Sequence, residues 1–195
     1  MIAVVNTGGA NLASVTAAFA RLGAEAELTS DPATIRRADK LVLPGVGAAA
    51  DSMERLRRAG LVEVLRTVSQ PMLAICLGMQ LLFEHSDEGD TPCLGLLAGR
   101  VRRFPVVPSL TVPHMGWNAL QIKQDDPLLA SLPEPPYVYF VHSYIAPDGP
   151  WVLATSEHGG TFPAVCRRGN VWGVQFHPER SSSVGAQLLQ NFMAL

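Results

Sequence analysis

The first half of the chain alternates between short apolar runs and longer segments in which apolar residues recur at helical spacing. Met1 to Val5 is an apolar run closed by a glycine turn, and Asn11 to Leu22 is apolar at every third or fourth position. The first pattern predicts a strand and the second an amphipathic helix. The same reasoning predicts strands over 24–28, 40–45 and 70–75, and helices over 51–68 and 77–84. Alternating strands and helices favour a mainly parallel sheet that is covered on both faces.

From about Gly95 onward the pattern changes to short apolar runs separated by turn-forming residues. Turns such as His158-Gly159-Gly160 favour antiparallel hairpins between short strands. The predicted strands cover 100–104, 119–122, 137–143, 152–155, 162–167 and 170–176, and a closing helix covers 182–193. The predicted fold is therefore α/β, with a mainly parallel central sheet flanked by helices and an added antiparallel region. A length of 195 residues fits a single domain over 1–195.

Charge and composition argue against several classes of binding partner and site. The net charge of −2 offers no basic surface for nucleic acid, and no apolar run approaches the roughly 20 residues that a membrane span needs. The first residues resemble neither a secretory leader nor a transit peptide, which favours a cytoplasmic protein. The three cysteines lack any C-x-x-C spacing, so neither a disulfide framework nor a structural zinc site is expected.

The strongest chemical signal is Cys76, at the junction between the predicted strand 70–75 and the helix that follows. A cysteine on such a strand-to-helix turn is held near free backbone N–H groups, which favour its thiolate form. This arrangement predicts a nucleophile elbow. The alternative is that Cys76 is a small buried residue that closes a core strand.

A second signal is His177-Pro178-Glu179, where another predicted strand ends. Because alternate residues point the same way, the Glu179 carboxylate can lie behind the His177 imidazole and orient it as a general base. A surface loop or half of a metal site are the alternatives, and the metal site is disfavoured because no second cluster of ligands accompanies it.

The third signal is the glycine-rich turn Gly45-Val46-Gly47, whose backbone N–H groups could stabilise an oxyanion. A phosphate-binding loop is the rival interpretation, but the lysine and hydroxyl residues of that motif are missing.

Taken together, these motifs resemble the class I (triad) glutamine amidotransferases, and the resemblance covers essentially the whole chain. It is carried by Pro-Gly-Val-Gly at 44–47, Cys-Leu-Gly-Met-Gln at 76–80, Val-His-Ser-Tyr at 141–144 and Gln-Phe-His-Pro-Glu at 175–179. The resemblance implies a flavodoxin-like fold and hydrolysis of glutamine to glutamate and ammonia through a γ-glutamyl thioester, without a cofactor or a metal. Ala74 and Arg180 stand where the family usually has glycine and lysine.

The resemblance also assigns roles to individual residues. It implies that Cys76 attacks the amide, that His177 transfers protons and that Glu179 orients His177. The implied oxyanion hole comprises Gly45, Val46, Gly47 and Leu77. The implied glutamine-binding residues are Gly47, Gln80, His142, Ser143 and Tyr144.

The segment His114-Met115-Gly116-Trp117-Asn118 resembles the branch of the family that serves imidazole glycerol phosphate synthases in histidine biosynthesis. That branch implies a heterodimer with a cyclase subunit, a (β/α)₈ barrel that consumes the ammonia. The implied interface residues are Asn11, Trp117, Asn118, Tyr139 and Arg180.

Other functions remain open on the sequence alone. Anthranilate, aminodeoxychorismate or carbamoyl phosphate synthesis would use the same triad, as would a stand-alone γ-glutamyl hydrolase, and a scaffold subunit could retain the fold without catalysis. His85 and His158 lie in polar turns and are expected to be solvated.

Overall fold

The computed structural model describes residues 1–8, 12–108 and 110–195. Its strands are β1 (Ile2–Val5), β2 (Ala26–Thr29), β3 (Lys40–Gly45), β4 (Met72–Cys76), β5 (Phe83–Ser86), β6 (Thr91–Pro92), β7 (Leu97–Arg103), β8 (His114–Ala119), β9 (Gln121–Ile122), β10 (Tyr137–His142), β11 (Tyr144–Ile145), β12 (Val152–Glu157), β13 (Thr161–Arg168) and β14 (Val171–Val174). Its α-helices are α1 (Leu12–Arg21), α2 (Pro32–Arg37), α3 (Ala49–Arg58), α4 (Val62–Arg66), α5 (Leu77–Leu81) and α6 (Ser182–Ala194). Short 3₁₀ helices cover Pro127–Leu129 and Pro178–Arg180.

The largest sheet in the described part of the chain has eight strands in the order β2-β1-β3-β4-β14-β13-β12-β9. Strands β2, β1, β3, β4 and β14 pair in parallel, and β14, β13, β12 and β9 pair in antiparallel fashion. The predicted class, a mainly parallel sheet with an added antiparallel region, matches this topology. Two smaller sheets, β8-β10 and β6-β5-β7-β11, accompany it.

The parallel strands are buried on both faces because their alternate residues enter two different cores. In β1, Ile2 and Val4 pack with α1 and α6, whereas Ala3 and Val5 pack with α3 and α4. This accounts for the continuous apolar runs in these strands, in contrast to the alternating pattern of a half-exposed sheet.

Two predicted helices end earlier than expected. The segment predicted as one helix over 51–68 forms α3 and α4, because Gly60 adopts φ +68° and Leu61 N–H donates back to the Leu56 carbonyl, which terminates α3. The helix predicted over 77–84 ends at Leu81, since Phe83 already belongs to β5 and pairs with β7. The short helix α2 was not predicted, although Asp31 caps it through the Thr34 N–H at 2.8 Å.

None of the helices in the described ranges is long and apolar enough to cross a membrane.

Candidate active site

Cys76 is the last residue of β4, between β3 and β14, and its backbone has φ 55° and ψ −112°. A positive φ is unfavourable for a residue with a side chain, and it turns the chain sharply from the strand into α5. The side chain of Cys76 therefore lies at the carboxyl edge of the parallel sheet. Ala74 lies in the extended strand β4, where a methyl group causes no backbone strain.

The glycine-rich loop packs directly on this elbow. Gly45 pairs with Cys76 across β3 and β4, and a Cβ atom on Gly45 would lie 2.7 Å from the backbone nitrogen of Gly78. A Cβ on Gly78 would in turn lie 1.9 Å from the Leu43 carbonyl oxygen. Glycine at both positions therefore allows the backbones of 45–47 and of Leu77 to meet beside the sulfur.

His177 follows β14, the strand that pairs with β4 on the opposite side from β3, and it is buried. Its Nδ1 lies 2.7 Å from Glu179 Oε1, and the Glu179 side chain has no exposed surface. The imidazole is also hydrogen-bonded with Cys76. The structure thus brings the three candidate catalytic side chains into one hydrogen-bonded group.

The electrostatics of His177 depend on this group. Burial by itself lowers the pKa of His177, but the hydrogen bonds and charges of Cys76 and Glu179 outweigh burial and raise its pKa to about 10. A protonated imidazole between a sulfur and a carboxylate can stabilise a thiolate and later donate its proton.

A cavity of about 400 Å³ opens over Cys76 and His177. The candidate residues that line it are Gly45, Val46, Gly47, Cys76, Leu77, Gln80, His142, Ser143, Tyr144 and His177. Segments far apart in sequence therefore surround one space of the size of a small-molecule site.

Glu88 also lines this cavity and was missed by the sequence analysis. Its Oε2 accepts a hydrogen bond from Ala49 N–H at 2.8 Å, and burial raises the pKa of its carboxyl group. Glu88 lies in a polar turn between β5 and β6, which resembles ordinary solvated loop, and only the packing of that turn against α3 directs it to the cavity. A carboxylate in this position can bind an ammonium group.

A second buried polar group borders the cavity. His114 and His142 face each other across β8 and β10, and His114 Nδ1 lies 3.0 Å from His142 Nε2. His142 Nδ1 bonds the Tyr144 carbonyl at 2.8 Å, so its Nε2 is the acceptor for His114. Burial lowers the pKa of His142 to about 3 and that of His114 to about 4. Both rings are therefore neutral at neutral pH.

His158 corrects a sequence expectation. Its ring stacks on His114 with centroids 4.2 Å apart, and its Nε2 donates to the Thr111 carbonyl at 2.8 Å. The expectation of a fully solvated side chain holds only in part, because His158 is half-buried and one face of its ring packs on His114.

Comparisons with known proteins agree with this architecture. Residues 3–195 match the family model described as glutamine amidotransferase class-I. The chain belongs to the class-I glutamine amidotransferase family. It is 51% identical over 194 residues to "Imidazole glycerol phosphate synthase subunit HisH" of Xylella fastidiosa (strain Temecula1 / ATCC 700964), covering 100% of this chain and 97% of the relative. The protein with the same name in Xanthomonas axonopodis pv. citri (strain 306) is 52% identical with the same coverage.

The fold of this amidotransferase is also found in solved structures. A protein described as "Crystal structure of glutamine amidotransferase" superposes with a TM-score of 0.77 at 22% identity, covering 99% of this chain and 97% of that one. The likeness supports the fold alone, at that level of identity.

The candidate interface residues of the amidotransferase lie outside the cavity. Trp117 on β8 is exposed and makes an edge contact with half-buried Tyr139 on β10, with centroids 6.0 Å apart. Asn118 is half-buried and donates to the Glu157 carbonyl, and Arg180 is exposed. Asn11 lies outside the described residues.

Proposed function

We propose that this chain is the glutaminase subunit of an imidazole glycerol phosphate synthase, and that it consists of one amidotransferase domain over 1–195. The family membership and the names of the full-length relatives support this assignment. The observation that carries the chemistry is the buried His177–Glu179 pair, with 2.7 Å between Nδ1 and Oε1, next to a cysteine on a strained elbow.

In the first half of the proposed reaction, the Cys76 thiolate adds to the side-chain amide carbon of glutamine. The negative charge that develops on the amide oxygen is stabilised by backbone N–H groups of Gly45, Val46, Gly47 and Leu77. His177 donates its proton to the departing nitrogen, so the C–N bond breaks and ammonia leaves behind a γ-glutamyl thioester.

In the second half, neutral His177 takes a proton from a water molecule that attacks the thioester. The C–S bond breaks, its electron pair returns to the sulfur, and glutamate leaves. Glu179 holds the imidazole in one orientation and stabilises its protonated form in both halves. No metal or redox cofactor is needed to balance either step.

Glutamine is proposed to be held by groups around the cavity. The Glu88 carboxylate suits the α-ammonium group, and Gln80, Gly47 and the backbone of His142, Ser143 and Tyr144 offer hydrogen-bonding groups to the remaining polar atoms. A site that pairs the α-ammonium group and hydrogen-bonds the other polar atoms of an amino acid discriminates against amides that lack these groups.

The proposed partner is the cyclase subunit, a (β/α)₈ barrel, and the proposed location of the heterodimer is the cytoplasm. Met115 and Trp117 on β8 and Tyr137 on β10 are large exposed side chains on one small sheet, typical of a protein interface. The backbone of the same sheet contacts the triad, because His177 N–H donates to the Tyr139 carbonyl at 2.9 Å. A partner bound there can therefore influence the position of His177.

Release of glutamate from glutamine tests the proposal. The purified chain is assayed alone, with the cyclase subunit, and with the cyclase subunit plus its phosphoribulosyl formimino carboxamide ribotide ligand. We expect strong stimulation in the complete mixture. High activity of the chain alone would instead indicate a stand-alone hydrolase, and no activity in any mixture would indicate another acceptor or a scaffold.

A matched pair of cysteine variants tests the nucleophile. Cys76→Ala should abolish glutamine use, while added ammonia still supports the partner's reaction. Cys93→Ala is the control, because Cys93 is buried away from the cavity and burial raises the pKa of its thiol to about 11. Glutaminase activity that survived in Cys76→Ala would refute the triad.

A further inference from the structure

Gln175 belongs to the Gln-Phe-His-Pro-Glu segment, yet neither the sequence analysis nor the proposed reaction gives it a role. It directly follows β14 and is completely buried, with 0% of its surface exposed. The parallel register aligns Val174 with Ile75, which brings the next residue of each strand, Gln175 and Cys76, side by side. A buried amide beside a nucleophile needs partners for its polar atoms.

Both polar atoms of the Gln175 amide have partners in the site. Its Nε2 donates toward Cys76 Sγ at 3.8 Å, and its Oε1 accepts from Gln80 Nε2 at 3.0 Å. The second hydrogen of Gln80 Nε2 goes to the Tyr144 carbonyl at 3.1 Å. A chain of hydrogen bonds therefore runs from Tyr144 through the two amides to the sulfur.

The direction of this chain is fixed by its first acceptor. The Tyr144 carbonyl can only accept, so Gln80 must turn its NH₂ group toward it. The same NH₂ group of Gln80 also faces Gln175. Gln175 must therefore accept with its Oε1 and direct its own NH₂ group toward Cys76. If either amide were flipped, two donors or two acceptors would face each other in a buried site, and that would cost free energy.

The donor and acceptor groups around the sulfur determine whether its thiol or its thiolate form is favoured. A Cys76 thiol can donate to the Val141 carbonyl, whose oxygen lies 3.8 Å from Sγ, but a thiolate cannot. An N–H from Gln175 favours the charged form of the sulfur, as hydrogen bonds to a charged group do.

We propose that Gln175 is a further catalytic residue, whose side-chain N–H stabilises the Cys76 thiolate; this role rests on the proposed glutaminase function. This hydrogen bond stabilises the thiolate before it attacks the amide. It stabilises the thiolate a second time, when the C–S bond of the thioester breaks and the electron pair returns to sulfur. Through Gln80, the hydrogen bond also connects the protonation state of Cys76 with the Tyr144 carbonyl at the glutamine site.

The test compares Gln175→Met and Gln175→Glu in the full chain. Methionine keeps the approximate shape and removes the donor, whereas an ionised glutamate replaces it with a negative charge. The readout is the rate of Cys76 alkylation by iodoacetamide as a function of pH, followed by mass spectrometry, which requires neither glutamine nor partner. Gln187→Met is the control, because the Gln187 amide bonds Asn191 on α6, away from the cavity.

Loss of one hydrogen bond to a charged group changes the equilibrium constant between thiol and thiolate by about tenfold. We therefore expect the alkylation profile of Cys76 in Gln175→Met to be displaced to higher pH, with alkylation up to about tenfold slower where the thiol form predominates. Gln175→Glu should be displaced further, and Gln187→Met should match the unsubstituted protein. With the partner present, glutamate release should fall about tenfold in Gln175→Met, mainly in kcat.

An alkylation profile unchanged in folded Gln175→Met would overturn the proposal, as would equal effects of methionine and glutamate, which would indicate a packing role alone. If Gln175→Met does not fold, Gln80→Met tests the same chain by freeing the Gln175 amide to turn, and an unchanged profile there would likewise overturn it. Alkylation in the expected order without glutamate release from the unsubstituted protein would remove the proposed function while leaving the thiolate contact intact.

Discussion

His177 and the His114–His142 pair lie in neighbouring regions of the molecule and are buried to almost the same degree, with 4%, 5% and 5% of their surfaces exposed. Their pKa values nevertheless move in opposite directions. The pKa of His177 rises to about 10, whereas those of His114 and His142 fall to about 4 and 3. Burial lowers the pKa in all three cases, so the difference must come from the groups around each ring.

The partners explain the contrast. His177 has the Glu179 carboxylate on one side and Cys76 on the other, so its charged form is stabilised. Around His114 and His142, by contrast, burial is the largest influence and favours the neutral forms, and repulsion from His158 adds to it. Their neighbours also include each other, the Tyr144 carbonyl and aromatic rings such as that of Phe104. The same type of side chain therefore favours its protonated form in one region and its neutral form in the other.

The largest expected effect comes from removing the charge that distinguishes His177. Glu179→Gln keeps the shape of the side chain but withdraws the carboxylate, so the protonated imidazole loses stabilisation and the ring loses its fixed tautomer. A comparable substitution in a catalytic triad lowers the rate by about 10⁴. We expect glutamate release in the presence of the partner to fall by about 10³ to 10⁴.

Ammonia-dependent synthesis by the complex is the control for this variant, because it bypasses the triad while still requiring the assembled heterodimer. It should remain near the unsubstituted level. Glutamate release within tenfold of normal in Glu179→Gln would show that burial and Cys76 alone set the protonation of His177.

A smaller effect is expected from acid on the neutral pair. Because the folded pKa values of His114 and His142 lie below the ordinary value of 6.5, the unfolded chain binds protons that the folded chain does not. Stability from this source is complete above pH 6.5 and is lost as the pH falls toward 4. Each imidazole contributes a slope of up to about 1.4 kcal/mol per pH unit.

Urea unfolding at several pH values between 4 and 7 measures this slope. In His142→Gln one titrating imidazole is removed, so the slope should decrease by about one proton. His85→Gln is the matched control, since His85 is half-buried and pairs with Asp90 at 2.8 Å, away from this cluster. An unchanged slope in His142→Gln would mean that the pair is already protonated in the folded protein.

The contrast also marks the limit of what the sequence could predict. Cys76 and His177 each directly follow a predicted strand, and because those strands are parallel neighbours, their carboxyl ends meet at the same edge of the sheet. The local motifs and the topology therefore sufficed to anticipate that these residues lie together. Gly45 ends the next parallel strand, so the same argument extends to the glycine-rich loop.

Contacts that depend on the register between strands distant in sequence could not be predicted in this way. His114 meets His142 only because β8 and β10 pair in one particular register, and a shift by one residue would turn the two rings to opposite faces. Glu88 reaches the cavity through packing of a turn, and Gln175 contacts Cys76 and Gln80 beneath it through its side-chain amide. The helix 51–68 was predicted too long for a simpler reason, since Gly60 in a helical pattern can either be tolerated or end the helix.

The smallest expected effect comes from placing a carboxylate beside the neutral His114–His142 pair, as Glu179 is placed beside His177. His158 stacks on His114, and burial, together with a smaller coulombic contribution from His158, lowers the pKa of His114. His158→Glu would place a carboxylate there, whereas His158→Gln would remove the imidazole without adding charge. We expect His158→Glu to raise the pKa of His114 above about 4 by roughly a tenfold change in proton affinity, or about 1.4 kcal/mol, and His158→Gln to raise it less. An NMR titration of the His114 ring measures both, and equal pKa values in the two variants would show that a nearby carboxylate does not account for the difference between the two histidine regions.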